Sequence, residues 1–303
     1  MGGYMAVLGA QFQRGHARIP SMSGPEIVST IAELRARIAA WRKDGARIGL
    51  VPTMGALHEG HLSLVRDAGT FCEKIVVSIF VNPAQFAPHE DFDRYPRQME
   101  SDTARLAGTG KTDLIFAPGM AEMYPDGFAT KVEVGGPSIG LESDSRPHFF
   151  GGVATVVSKL LIAAMPDYAI FGEKDYQQLL VIRRMVADLR LPIDIAGGAI
   201  VREADGLAMS SRNAYLSAEQ RQIAGQLNQI LKSAAGRIRA GKDIPTAITT
   251  ARNAILKAGF DSVDYVAVRD AETLAKIPDI SRPARILAAA KIGTTRLIDN
   301  IAV

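Results

Sequence analysis

Two histidines three residues apart, His58 and His61, stand in "VPTMGALHEGHLSLV", where an apolar strand gives way to a glycine-bearing turn and a helix start. At that spacing two imidazoles share one face of a helix turn. A helix N-terminus offers unpaired N–H groups and positive potential, which together make an anion site. Gly55 and Gly60 let the backbone approach a ligand closely. The pattern points to a nucleotide triphosphate held by imidazoles, with capping and surface histidines as the plainer alternative. Zinc is the weakest reading, because "HEGH" is not the H-E-x-x-H pattern and no third ligand stands nearby.

Three further clusters carry compatible chemistry. "FGEKDYQQL" offers Lys174 as a point charge for a phosphate, Asp175 as an acceptor for ribose hydroxyls, and Gln178 one turn after the lysine. Read blandly, the same stretch is a solvated helix start. "LAMSSRNAYLS" sets Ser210, Ser211 and Arg212 on one loop, a group suited to phosphate oxygens that gain charge in a transition state. "SIFVNPAQF" places Asn82 and Gln85 at a strand end. Neutral amides bind hydroxyls and carboxylates without adding charge, though Asn-Pro is also an ordinary turn signal. "FDRYPRQMESD" supplies carboxylates, Asp102 among them, that offer themselves to Mg2+.

The elements that must position these groups alternate in type. Apolar spacing predicts helices over 26–45, 61–72, 101–110 (capped by Ser101), 152–165 and 174–189. Between them lie short apolar strands over 47–51, 74–81, 113–118, 168–172 and 193–201. This alternation argues for an α/β fold, an open parallel sheet with helices on both faces. In such a sheet ligands sit outside the carboxyl ends of the strands, and the histidine, NPAQF, GEKD and MSSR clusters each follow a strand. Past "READG" the pattern changes to a long helix over 217–241 capped by Ser217, a second over 245–259, and three strands. The expected division is an N-terminal extension (1–22), a nucleotide-binding domain (23–201) and a smaller α+β lid domain (202–303). Met22 is a second candidate start of translation.

Composition narrows the class. The chain has 303 residues, 47% apolar and 22% charged, with 35 basic against 32 acidic side chains. A net charge of +3 on so long a chain does not argue for nucleic acid. No apolar run reaches the length of a membrane span, and the N-terminus lacks the charged region of a secretory signal. Cys72 is the single cysteine, so no intrachain disulfide forms, which fits a reducing cytosol. It reads as a small buried residue.

Taken in order, "PTMGALHEGH", "SIFVNPAQF", "YPR", "FGEKDYQQL", "READGLAMSSRN" and "GTTRLIDNI" resemble the pantothenate synthetase (pantoate–β-alanine ligase) family, from about residue 26 to the end. That family belongs to the nucleotidyltransferase-like group with a Rossmann-like sheet, HIGH-type histidines and a KMSKS-type loop. The resemblance implies two steps, in which pantoate and MgATP give pantoyl adenylate and pyrophosphate, and β-alanine then gives pantothenate and AMP. It implies that ATP is lined by Met54, Gly55, Ala56, Leu57, His58, Glu59, Gly60, His61, Gly172, Glu173, Lys174, Asp175, Val201, Met209, Ser210, Ser211 and Arg212. His61 is then the proton donor and His58 a phosphate contact, and Lys174 and Arg212 offset charge. Gln85, Gln178 and Asn82 hold pantoate, and Asp102 binds Mg2+. It also implies a cytoplasmic homodimer. One departure stands out. "SRPHFFGGV" has Phe149 where the family commonly has His, with His148 one place earlier. An adenylyltransferase that releases its adenylated product, an ATP-binding regulator and a tRNA ligase are the competing readings.

Overall fold

The computed structural model describes residues 24–87 and 90–303, so the expected extension lies outside the described residues. Strands β1 (Glu26–Val28), β2 (Ile48–Thr53), β3 (Lys74–Ile79), β4 (Leu114–Phe116), β5 (Tyr168–Gly172) and β6 (Asp194–Gly198) form one sheet. Its order is β1-β4-β3-β2-β5-β6, and every pairing is parallel. Side-chain alternation feeds two cores. From β3, Val76 points into a cluster with helices α1 (Ile31–Lys43), α6 (Phe149–Ala164) and α7 (Tyr176–Asp188). Ile75, Val77 and Ile79 point the other way, onto α2 (Glu59–Phe71) and α3 (Met99–Gly108). The expected sheet with helices on both faces is therefore present. Cys72 is buried, as read from the sequence.

Two elements differ from the sequence reading. Residues 26–28 form edge strand β1 rather than the first turn of a helix. A capping box at Thr30 and Glu33 starts α1 only at Ile31, with Thr30 N–H donating to the Glu33 carboxylate at 3.0 Å. The long helix expected over 217–241 is two, α8 (Ala218–Ala224) and α9 (Gln226–Arg239). At Gly225 a Cβ would fall on the Asp205 carboxylate, which pairs with Arg221. Ser217 caps α8 as read, whereas Ser101 lies inside α3, whose N-cap is Gln98. Short helices α4 (Met120–Met123) and α5 (Glu142–Ser145) complete the first unit.

The second unit is an antiparallel sheet of β7 (Ser262–Asp270), β8 (Ala284–Ile292) and β9 (Thr295–Ala302). One face packs on α9 and α10 (Ile244–Lys257), through Val266, Val268, Ile286 and Ala288. Its other face meets the first unit, where Tyr265, Ala267 and Leu287 pack against Leu141, Tyr176 and Leu180.

Candidate active site

The sheet reverses its winding direction between β2 and β5, and the turns after these two strands flank that switch point. The turn after β2 is tight. Gly55 and Ala56 both adopt positive φ, +82° and +51°. The turn is held from beneath by Asp102 of α3, whose two carboxylate oxygens accept from Ala56 N–H at 2.9 Å and Leu57 N–H at 2.8 Å. A Cβ on Gly55 would come within 3.0 Å of that carboxylate, so close approach and backbone conformation both require glycine.

The turn delivers the two histidines. His58 is the N-cap of α2, and its Nδ1 accepts from Gly60 N–H at 3.2 Å. His61 Nδ1 accepts from His58 N–H at 3.3 Å. An imidazole nitrogen that accepts carries no proton, so each neutral ring is protonated at Nε2. Burial first, then the charge of Lys174, lowers His58 to about 4. Burial, then His58 and Lys174, lowers His61 to about 3. At neutral pH both rings are uncharged, stand 4.1 Å apart, and offer Nε2–H as a donor.

They open onto a cleft of about 500 Å3. Its walls bring together Met54, His58, Gly60, His61, Asn82, Gln85, Gly172, Lys174, Asp175, Gln178, Val201, Met209, Ser210, Ser211 and Arg212, all singled out from the sequence. Six expected residues are not on its walls. Gly55, Ala56 and Leu57 shape the turn beneath it, and Glu59 pairs with Arg66 along α2. Glu173 pairs with Arg285 of β8 at 3.2 Å. Asp102, expected as a metal ligand, has the backbone task described above. Among the described residues no group of three or more His, Cys, Asp or Glu side chains forms a metal cage.

Asn82 was expected to contact substrate directly, but it is buried and its amide is used internally. Oδ1 accepts from Ala84 N–H at 3.3 Å and from the Tyr124 hydroxyl at 2.7 Å. Nδ2 donates to the Gly152 carbonyl at 3.2 Å and to Gln85 Oε1 at 3.2 Å. The backbone partners leave no ambiguity in the orientation, so Gln85 Oε1 faces Asn82 and its NH2 turns to Met54 Sδ, 2.9 Å away. Gln85 thus presents a donor. Gly152 lets this turn sit against α6, since a Cβ there would collide with the Ala84 carbonyl.

The sequence reading missed the arginine and carboxylate pairs that frame the cleft. Arg212 forms a two-pronged pair with Asp91 at 3.0 and 2.9 Å. Burial pushes Asp91 up, but Arg212 outweighs it and holds the carboxyl below its usual range. Next to it, Glu90 takes Arg146 at 2.6 and 2.7 Å, and Arg146 also donates to the Gln85 carbonyl at 3.1 Å. Phe149, the departure from the family pattern, is a buried wall residue beneath the Arg146 guanidinium, 4.0 Å from carbon to ring centre. The only signal for these pairs was the opposite charge of distant residues, which names no partner.

Neutral imidazole donors, a lysine and an arginine around the switch point of a parallel sheet define a nucleotide-handling α/β enzyme. The family model described as pantoate-beta-alanine ligase matches residues 26–302. A pantothenate synthetase of Mesorhizobium japonicum is 56% identical over 280 residues, which is 92% of this chain and 98% of that protein. One from Paramagnetospirillum magneticum is 57% identical over 277 residues, 91% and 97% of the two chains. Among solved structures, pantothenate synthetase from Thermus thermophilus superposes with a TM-score of 0.86 at 46% identity, covering 91% of this chain and 98% of that one. The Francisella tularensis pantoate-beta-alanine ligase complexed with beta-gamma ATP and beta-alanine gives 0.78 at 34% identity, over 92% and 97%. The chain belongs to the pantoate–β-alanine ligase family.

Proposed function

We propose that the cleft joins pantoate to β-alanine through a pantoyl adenylate. A pantoate carboxylate oxygen attacks the α-phosphorus of ATP, and the bond to the β-phosphate bridge breaks, releasing pyrophosphate. The β-alanine amine then attacks the acyl carbon, the acyl–oxygen bond to AMP breaks, and the amine loses a proton. The observation that carries this reading is the meeting, in one cleft, of two neutral Nε2–H donors with Lys174 and the donor amide of Gln85.

His58 and His61 donate to phosphate oxygens as neutral rings. Lys174 adds a positive charge, and Asp175 accepts from the ribose. Arg212 reaches phosphate by exchanging Asp91 for it. Gln85 donates to pantoate oxygen, with Gln178 beside it and Asn82 fixing its orientation. Mg2+, when bound with the nucleotide, supplies further charge neutralisation at the phosphates. Positioning supplies most of the rate, because an acyl adenylate needs little help against a free amine. In our reading the enzyme works as a cytoplasmic homodimer. Among the described residues no helix is long and apolar enough to cross a membrane.

The test uses purified protein with MgATP and pantoate, with and without β-alanine, following pyrophosphate, AMP and pantothenate. Pyrophosphate that requires pantoate, with AMP and pantothenate that also require β-alanine, is the expected result. ATP binding without pantoate-dependent pyrophosphate would overturn it.

A further inference from the structure

The segment "GTTRLIDNI" carries part of the family likeness, yet none of the roles above uses it. Residues 295–301 of it lie in β9, and Asn300 reaches from that strand to the turn that carries Lys174. Asn300 is only 2% exposed. Its Nδ2 donates to the carbonyls of Glu173 and Lys174, both at 2.9 Å. Its Oδ1 accepts from Arg285, which fixes the amide orientation because a guanidinium only donates. Arg285 also pairs with the Glu173 carboxylate and lies 3.8 Å over the Tyr176 ring. The Glu173–Asp175 turn has no side-chain cap of its own. Its carbonyls are therefore anchored by a strand of the other sheet.

We propose that Asn300 is a positioning residue for ATP, holding the Glu173–Lys174 backbone so that the Lys174 ammonium meets the phosphates. The proposal rests on the reading of Lys174 as a phosphate contact. The second unit then acts on the nucleotide through a fixed clamp, in addition to covering the cleft.

The test is a double-mutant cycle of Asn300→Ala and Lys174→Ala, read by the KM for ATP, the rate of pantoate-dependent pyrophosphate release and calorimetric binding of a non-hydrolysable ATP analogue. Asn300→Ala alone is expected to lower the rate by about ten- to hundredfold, the scale of a small misplacement, with the pantoate KM unchanged. In the Lys174→Ala background it should have little further effect. Asn300→Asp keeps the size and the Arg285 contact but cannot donate to two carbonyls, so it should show the same selective loss with the fold intact. Equal effects of Asn300→Ala with and without Lys174, or wild-type kinetics in Asn300→Asp, would overturn the proposal. Failure of the functional reading is separate. A wild-type protein that binds the analogue but releases no pyrophosphate sinks that reading, while the binding cycle still decides the role of Asn300.

Discussion

At the scale of single residues, the cleft histidines are set by what their Nδ1 atoms accept. Their folded-state values lie below the ordinary 6.5, so the unfolded chain binds more protons than the folded one from about 6.5 down to about 4 for His58 and about 3 for His61. Their contribution to stability is complete above that window and falls away as the pH drops through it. A urea-unfolding series should show this slope, and His61→Asn should reduce it to the part due to His58. His61→Ala should slow adenylation by about a hundredfold, the typical effect of losing one transition-state donor, with an unchanged circular dichroism spectrum. Single-turnover pyrophosphate release checks it. Gln85→Ala should raise the pantoate KM by about tenfold, the scale of a lost hydrogen bond, and leave the ATP KM unmoved in steady-state assays. The residue types and their order were legible in the sequence, because His, Lys and Gln advertise their chemistry. The proton positions on His58 and His61, and the inward duty of Asn82, were not. They depend on backbone N–H and C=O groups whose directions only the fold supplies.

At the scale of elements, the alternation of strands and helices was readable because each period reports which face is buried. The boundaries that failed did so for local reasons. Thr30 and Glu33 cap a helix that apolar spacing alone would have begun earlier, and Gly225 yields its side-chain space to Asp205. Asp102 shows the same limit. Its acidity suggested a cation, whereas its position on α3 places it under two backbone N–H groups. Asp102→Ala would leave both donors buried and unpaired. It should destabilise the protein by about 2–4 kcal/mol, measured by denaturant unfolding, and should weaken ATP binding because the turn delivers both histidines. Asp102→Ala with full stability would contradict this account of the turn.

At the scale of the whole molecule, the two sheets are joined by more than a hinge. Glu142, 6% exposed, accepts from the Tyr265 hydroxyl and from Arg296, both at 2.8 Å, and Arg296 also pairs with Asp264 at 2.7 Å. These partly buried pairs, with the small apolar cluster beside them, predict one cooperative thermal transition. Arg296→Ala takes one charged partner from the buried Glu142 carboxylate, which keeps the Tyr265 hydroxyl, and should lower stability by about 1.5–3 kcal/mol. In differential scanning calorimetry it should also split the transition in two, and a single unshifted peak would refute the coupling. The separate C-terminal sheet was legible from the change of pattern late in the chain. The charged seam was not, since its partners lie far apart in the chain.

The clamp on the Lys174 turn has a consequence in time as well as space. Its two hydrogen bonds join residues 126 and 127 positions apart. A ribosome making this chain releases every strand of the parallel sheet, both histidines and Lys174 well before Asn300 emerges. Contacts of such long range form late. The nascent chain can therefore complete its first sheet while the Glu173–Lys174 turn still lacks its Asn300 anchor.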